Sequence, residues 1–93
     1  MISEEKLDKL GDILSDQKVP LKARNRALFT LKNLGGNSAV KNIARAFNDP
    51  SALLKHECAY CLGQMQNETA IPFLINILDN IEEDAMVRHE AGK

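Results

Sequence analysis

The sequence predicts an all-α solenoid of about three antiparallel helical hairpins, the last one truncated. Three observations carry that prediction. Two pairs of segments repeat at similar offsets along the 93 residues. Apolar residues recur at helical spacing in successive stretches. Prolines and glycines fall at the ends of those stretches.

The repeats are direct. The segment "RNRALFTLKNLG" (Arg24 to Gly35) aligns with "KHECAYCLGQMQ" (Lys55 to Gln66) at an offset of 31. Phe29 then meets Tyr60, Leu31 meets Leu62, and Leu34 meets Met65. The segment "LKHECA" (Leu54 to Ala59) aligns with "VRHEAG" (Val87 to Gly92) at an offset of 33. Periods of this length mark supersecondary units that bury their apolar faces on their neighbours.

Each element follows from its period. Leu7, Leu10, Ile13 and Leu14 define the inward face of a first helix. Leu28, Leu31 and Leu34 do so for a second, opened by Pro20 in its first turn and closed by Gly35-Gly36. Val40, Ile43, Ala44 and Phe47 mark a third. Leu54, Cys58, Cys61 and Met65 mark a fourth, with Pro50 in its first turn and Asp49 as its cap. Ile71, Leu74, Ile75 and Leu78 mark a fifth, with Pro72 in its first turn. The stretch Asp79 to Ala85 reads as a frayed end and an acidic loop. A sixth helix starts near Met86 and stops at Lys93, too short to be stable alone. The repeats therefore run about 3–35, 37–66 and 69–93, in one unit that reads as the N-terminal part of a longer solenoid.

Composition narrows the function classes. The chain is 44% hydrophobic and 27% charged, which suits a soluble core. Its net charge of -1 gives no basic surface for nucleic acid or an anionic membrane. The start "MISEEKLDKL" lacks the basic residues and apolar run of a signal peptide. No apolar stretch approaches the roughly 20 residues that span a bilayer. Reduced thiols and a cytoplasmic location are expected.

The residues with the most chemistry are the two histidines. Each is followed by glutamate and preceded by a cation, in Lys55-His56-Glu57 and Arg88-His89-Glu90. Adjacent helical residues lie about 100° apart, so His56 and Glu57 flank one exposed face, away from the Leu54, Cys58, Cys61 stripe. Equivalent helices of a solenoid lie about 8–10 Å apart, which brings His89 and Glu90 to the same inner face. Two imidazoles and two carboxylates suit iron, manganese or zinc better than copper(I) or magnesium. A solvated dipeptide copied by duplication is the competing reading. Against it, the first repeat carries Asn25-Arg26 at the aligned position, so the architecture does not require His-Glu. Cys58-x-x-Cys61 lies on the buried stripe and reads as core packing, with neither a βαβ redox setting nor enough ligands for zinc.

Two strings give a family resemblance. "SALLKHECAYCLGQM", followed by "MVRHEAG", closely resembles the deoxyhypusine hydroxylases, which are HEAT-repeat proteins. "ALFTLKNLGG" and "AIPFLINIL" are similar to the N-terminal repeats of that family. The resemblance covers nearly the whole chain, against a family protein about three times longer. It implies a HEAT-like fold and a non-haem di-iron monooxygenase. Such an enzyme uses iron and dioxygen to hydroxylate the deoxyhypusine side chain of translation initiation factor 5A. The family pattern is four His-Glu pairs, two in each half of a pseudo-symmetric solenoid. His56, Glu57, His89 and Glu90 match the first two pairs one for one. The resemblance implies His56, His89 and Glu90 as iron ligands. Glu57 is a further ligand or the catalytic residue that holds the substrate's cationic amine.

Only two of the four pairs are present. The chain is therefore expected to be inactive as a monomer, with a two-fold dimer as the way to supply the missing half. A metal-free HEAT-repeat interaction module is the alternative, and a zinc-binding regulatory module a weaker third.

Overall fold

The structure is a computed structural model that describes residues 3–79, 91 and 92. Among the described residues five helices are complete: α1 (Glu4–Ser15), α2 (Leu21–Leu34), α3 (Asn37–Ala44), α4 (Ala52–Met65) and α5 (Ile71–Asp79). A 3-10 turn at Arg45–Asn48 continues α3, and another at Glu68–Ala70 leads into α5. α1 packs on α2 and α3, and α4 packs on α2 and α3. The result is a slab whose Cα atoms span 37 × 30 × 15 Å, thin enough for two helix layers. One layer holds α1 and α3 and is continued by α5, whose leading turn packs on α3. The other holds α2 and α4. We call the α2–α4 layer inner and the α1–α3 layer outer.

The breaks fall where sequence places them, with different residues in some roles. Ser3 caps α1, its Oγ accepting from the Lys6 amide at 3.3 Å, with Glu4 and Glu5 complementing the helix dipole. Gly35 and Gly36 end α2 with φ of 69° and 89°, a region that side chains disfavour. Pro72 lies in the first turn of α5 as expected, whereas Pro20 precedes α2 and Pro50 precedes α4. The α4 cap is Ser51, not Asp49: Ser51 Oγ accepts from the Leu54 amide at 3.2 Å.

The core also departs from the simple stripes. Leu7, Leu14, Leu28, Leu31, Val40, Ile43, Leu54, Cys58, Cys61 and Leu62 are buried in one cluster. Ile13, expected inward, is exposed, and Gly11 takes the buried place between Leu7 and Leu14. α5 differs more. Ile71 and Ile75 are 51% and 48% exposed, while Ala70 and Ile77 are buried. Apolar residues surround this helix, so period alone does not select its inward side. The expected acidic loop after Asp79, and all of the sixth helix except Ala91 and Gly92, lie outside the described residues.

Asp49 has a larger role than capping. Its carboxylate is buried and pairs with the buried guanidinium of Arg24. Arg24 Nε also donates to the Leu14 carbonyl at 2.8 Å, and Asp49 Oδ1 accepts from the Ser51 amide at 2.8 Å. One ion pair thus joins the end of α1, the start of α2 and the start of α4. Burial by itself raises the Asp49 pKa. The Arg24 hydrogen bond, the Ser51 amide and the charges of Arg24 and Lys55 outweigh it and hold the carboxyl below its ordinary value.

Two stability predictions follow from this packing. Asp49→Ala leaves a buried guanidinium uncompensated and should cost about 3–5 kcal/mol in urea unfolding. Because the folded Asp49 pKa is lowered, its contribution is complete above the unfolded carboxyl value of about 4. It is lost as pH falls through the lower folded value, and the Asp49→Ala variant should lack that acid-side loss. The second prediction concerns Gly11, where α1 approaches α3. An added Cβ would lie 2.7 Å from Asn42 Cγ and 2.8 Å from Arg45 Nη1. Asn42 is held there by bonds to Asp8 (3.1 Å) and the Ser38 carbonyl (2.9 Å). Gly11→Ala should therefore destabilise by about 1–3 kcal/mol despite its helix propensity. Gly63→Ala meets nothing within 4 Å and should stabilise by about 0.5–1 kcal/mol. Urea midpoints moving in the same direction for both glycine variants would contradict this account.

Candidate metal centre

α4 builds the described part of the site. Leu54, Cys58, Ala59, Cys61 and Leu62 anchor it in the core. That leaves His56, Tyr60 and Gly63 along one side at i, i+4 and i+7, with Glu57 and Gln64 beside them. The His56 and Glu57 side chains are 22% and 34% exposed, and Nδ1 of His56 lies 3.9 Å from Oε1 of Glu57. Both are therefore held by the helix yet reachable from outside. Tyr60, one turn on from His56, accepts from Gln64 Nε2 at its hydroxyl, 2.7 Å away.

The two thiols are separate from this face. Both cysteines are free and buried. Burial pushes the Cys58 thiol far up, with smaller effects from charges around it. Burial also raises Cys61, to about 11, with Lys32 opposing and Glu57 adding to the shift. Thiols that stay protonated in a core are poor metal ligands. The burial of both side chains bears out the core reading of Cys58 and Cys61.

His89 and Glu90, the other expected donors, lie outside the described residues. Ala91, next in sequence, is described: it is helical, 8% exposed, and forms a cluster with Ile77. Ala52 of the first turn of α4 packs against the same cluster. Among the described residues no group of three or more His, Cys, Asp or Glu side chains converges to hold a metal. The donors that are described, one imidazole and one carboxylate, fit a borderline divalent ion such as iron as part of its ligand set. No helix among the described residues is long and apolar enough to cross a membrane.

Sequence reasoning missed Arg24 and Gly11. Arg24 was detectable, since a charged residue at i-4 and i-7 from Leu28 and Leu31 sits on an apolar stripe and needs a partner.

Two tiers of comparison agree with this architecture. The chain belongs to the HEAT repeats family, whose profile matches residues 5–93. Within it, the similarity is to deoxyhypusine hydroxylase. The human enzyme is 56% identical over all 93 residues, which cover 31% of its length. That of Drosophila pseudoobscura pseudoobscura is 53% identical over the same span, also 31% of its length. A solved structure of human deoxyhypusine hydroxylase in complex with glycerol superposes with a TM-score of 0.93 at 57% identity. It covers 96% of this chain and 31% of that one. The chain thus spans about a third of the length of the relatives it matches.

The thiol assignment is checkable. With a pKa of about 11, Cys61 is about one part in a thousand thiolate at pH 8. Iodoacetamide should leave both cysteines unmodified in the native chain and alkylate both in urea, as read by mass. Rapid native alkylation of either would place it outside the core.

Proposed function

We propose that this chain contributes half of the iron site of a deoxyhypusine hydroxylase. In this reading the whole protein hydroxylates the deoxyhypusine side chain of translation initiation factor 5A in the cytoplasm, with dioxygen as co-substrate. The observation that carries it is the partly exposed His56–Glu57 pair on α4, in a chain 56% identical to the human enzyme. Residues 1–93 then form repeats at about 3–35, 37–66 and 69–93 of a longer solenoid.

His56 supplies a neutral nitrogen donor, and His89 and Glu90 complete the ligands from this half. When bound, the iron supplies the activation of dioxygen. Glu57 is the residue that receives the substrate's ammonium group. A carboxylate there forms a charge-assisted hydrogen bond and fixes the amine relative to the histidines. The rigidity of α4 serves this task, because its core anchors stop the His56 and Glu57 backbones from shifting. Three protein donors leave open positions on one metal but do not enclose two. The chain alone therefore binds iron without turning over substrate. The exposed Ile71 and Ile75 side chains support self-association as a dimer.

The test is an anaerobic iron(II) titration of the chain and of a His56→Ala, His89→Ala variant. Saturable binding is expected for the first and its loss in the second, with far-ultraviolet circular dichroism unchanged. Equal binding by both, or by neither, would favour the metal-free interaction module. Sedimentation velocity across a range of concentrations should show a dimer; a monomer throughout would remove the dimer from the reading.

A further inference from the structure

Acidic side chains are unevenly divided between α1 and α2. On the outer layer, acidic side chains of α1 find partners within the fold. Glu4 accepts from Ser38 at 3.1 Å, Asp8 from Asn42 at 3.1 Å and Asp12 from Arg45 at 2.7 Å. The cations Lys6 and Lys41 of this layer are exposed and form no ion pair among the described residues, so the inner layer differs in its acidic residues. α2 contains no acidic residue. Of its cations, Arg24 turns into the core, whereas Lys22 and Arg26 are exposed. Neither of those two side chains forms an ion pair among the described residues.

Lys22, Arg26 and Phe29 stand at i, i+4 and i+7, on one face of α2. Phe29 is 43% exposed. α4 packs alongside, and the 31-residue offset aligns Arg26 with Glu57 and Phe29 with Tyr60, itself 40% exposed. Single exposed apolar residues are ordinary. Two aromatics at equivalent repeat positions of adjacent helices, beside the Lys22 and Arg26 cations of α2, have the composition of a binding surface. The order of charge across the face is also specific. Glu57 on α4 corresponds, by the 31-residue offset, to Arg26 on the adjacent α2.

We infer that Lys22, Arg26, Phe29 and Tyr60 form a docking surface for an acidic protein. This rests on the proposed function, in which Glu57 receives an amine on the same face. The partner that fits presents a cationic side chain to Glu57 and carboxylates to Arg26 and Lys22. Its apolar contact falls on Phe29 and Tyr60, one turn beyond Arg26 and Glu57. The cations steer encounter, and the aromatics slow dissociation. Two exposed cations on a chain of net charge -1 are too few to track a nucleic acid backbone.

Isotope-labelled chain titrated with translation initiation factor 5A in its deoxyhypusine form, followed by NMR, tests this. Amide shifts are expected at Lys22, Arg26, Phe29 and Tyr60. A Lys22→Glu, Arg26→Glu variant should bind about tenfold more weakly or worse, and Phe29→Ala should weaken binding by a similar factor. Glu5→Lys, on the outer layer, should leave affinity unchanged. Added salt should weaken the wild type more than the double variant. An unchanged dissociation constant in the double variant would overturn the inference. So would absence of binding by the wild type, or equal shifts of α2 with a single-stranded oligonucleotide. Iron titration without partner reads the metal site separately. Iron binding with no docking at α2 overturns this inference alone, and docking at α2 with no iron overturns the metal reading alone.

Discussion

The Arg24–Asp49 ion pair is the constraint on which the arrangement of the layers depends. It is buried, and it touches three helices at their ends: the Leu14 carbonyl of α1, the first turn of α2 and the Ser51 cap of α4. A buried charge without its partner is too costly to tolerate, so alternative stackings of the second hairpin on the first are disfavoured. Asp49 lies just ahead of α4, and fixing it beside the start of α2 sets the register of the two inner helices. By the 31-residue offset, His56 and Glu57 correspond to Asn25 and Arg26 of the preceding repeat.

Once α4 is held at its start, its core anchors determine which side chains remain outside. Leu54, Cys58, Cys61 and Leu62 are all buried, because α4 packs on helices of both layers. The donors are then carried by a helix that cannot roll without exposing that core. The same packing keeps the thiols protonated beside a face proposed to bind iron, which separates soft sulfur from the nitrogen and oxygen donors. The high TM-score to the human enzyme fits a framework set by packing.

The two layers divide the electrostatic work. α1 and α3 approach closely at Gly11, and Glu4, Asp8 and Asp12 of α1 are held in bonds that cross that seam. On α2 of the inner layer, Lys22 and Arg26 are exposed and form no ion pair among the described residues. A solenoid that offers one surface to a partner has reason to be built this way, since its other surface must hold the repeats together.

Much of this was legible in the sequence. The 31-residue repeat, the glycines after Leu34, the buried Cys58–Cys61 stripe and the partly exposed His56–Glu57 pair all follow from period and from backbone preferences local to a few residues. Tertiary structure decided the rest. Both Asp49 and Ser51 are good helix caps by type, and only the position of Arg24, 25 residues earlier, draws Asp49 into an ion pair and leaves the cap to Ser51. α5 is apolar on every side, so its inward residues were chosen by what lay opposite them. Gly11 reads as a weak helix position until α3 is placed against it. Short-range order was written in the chain because it depends on neighbours in sequence; partners distant in sequence were not, because they meet only when the layers pack.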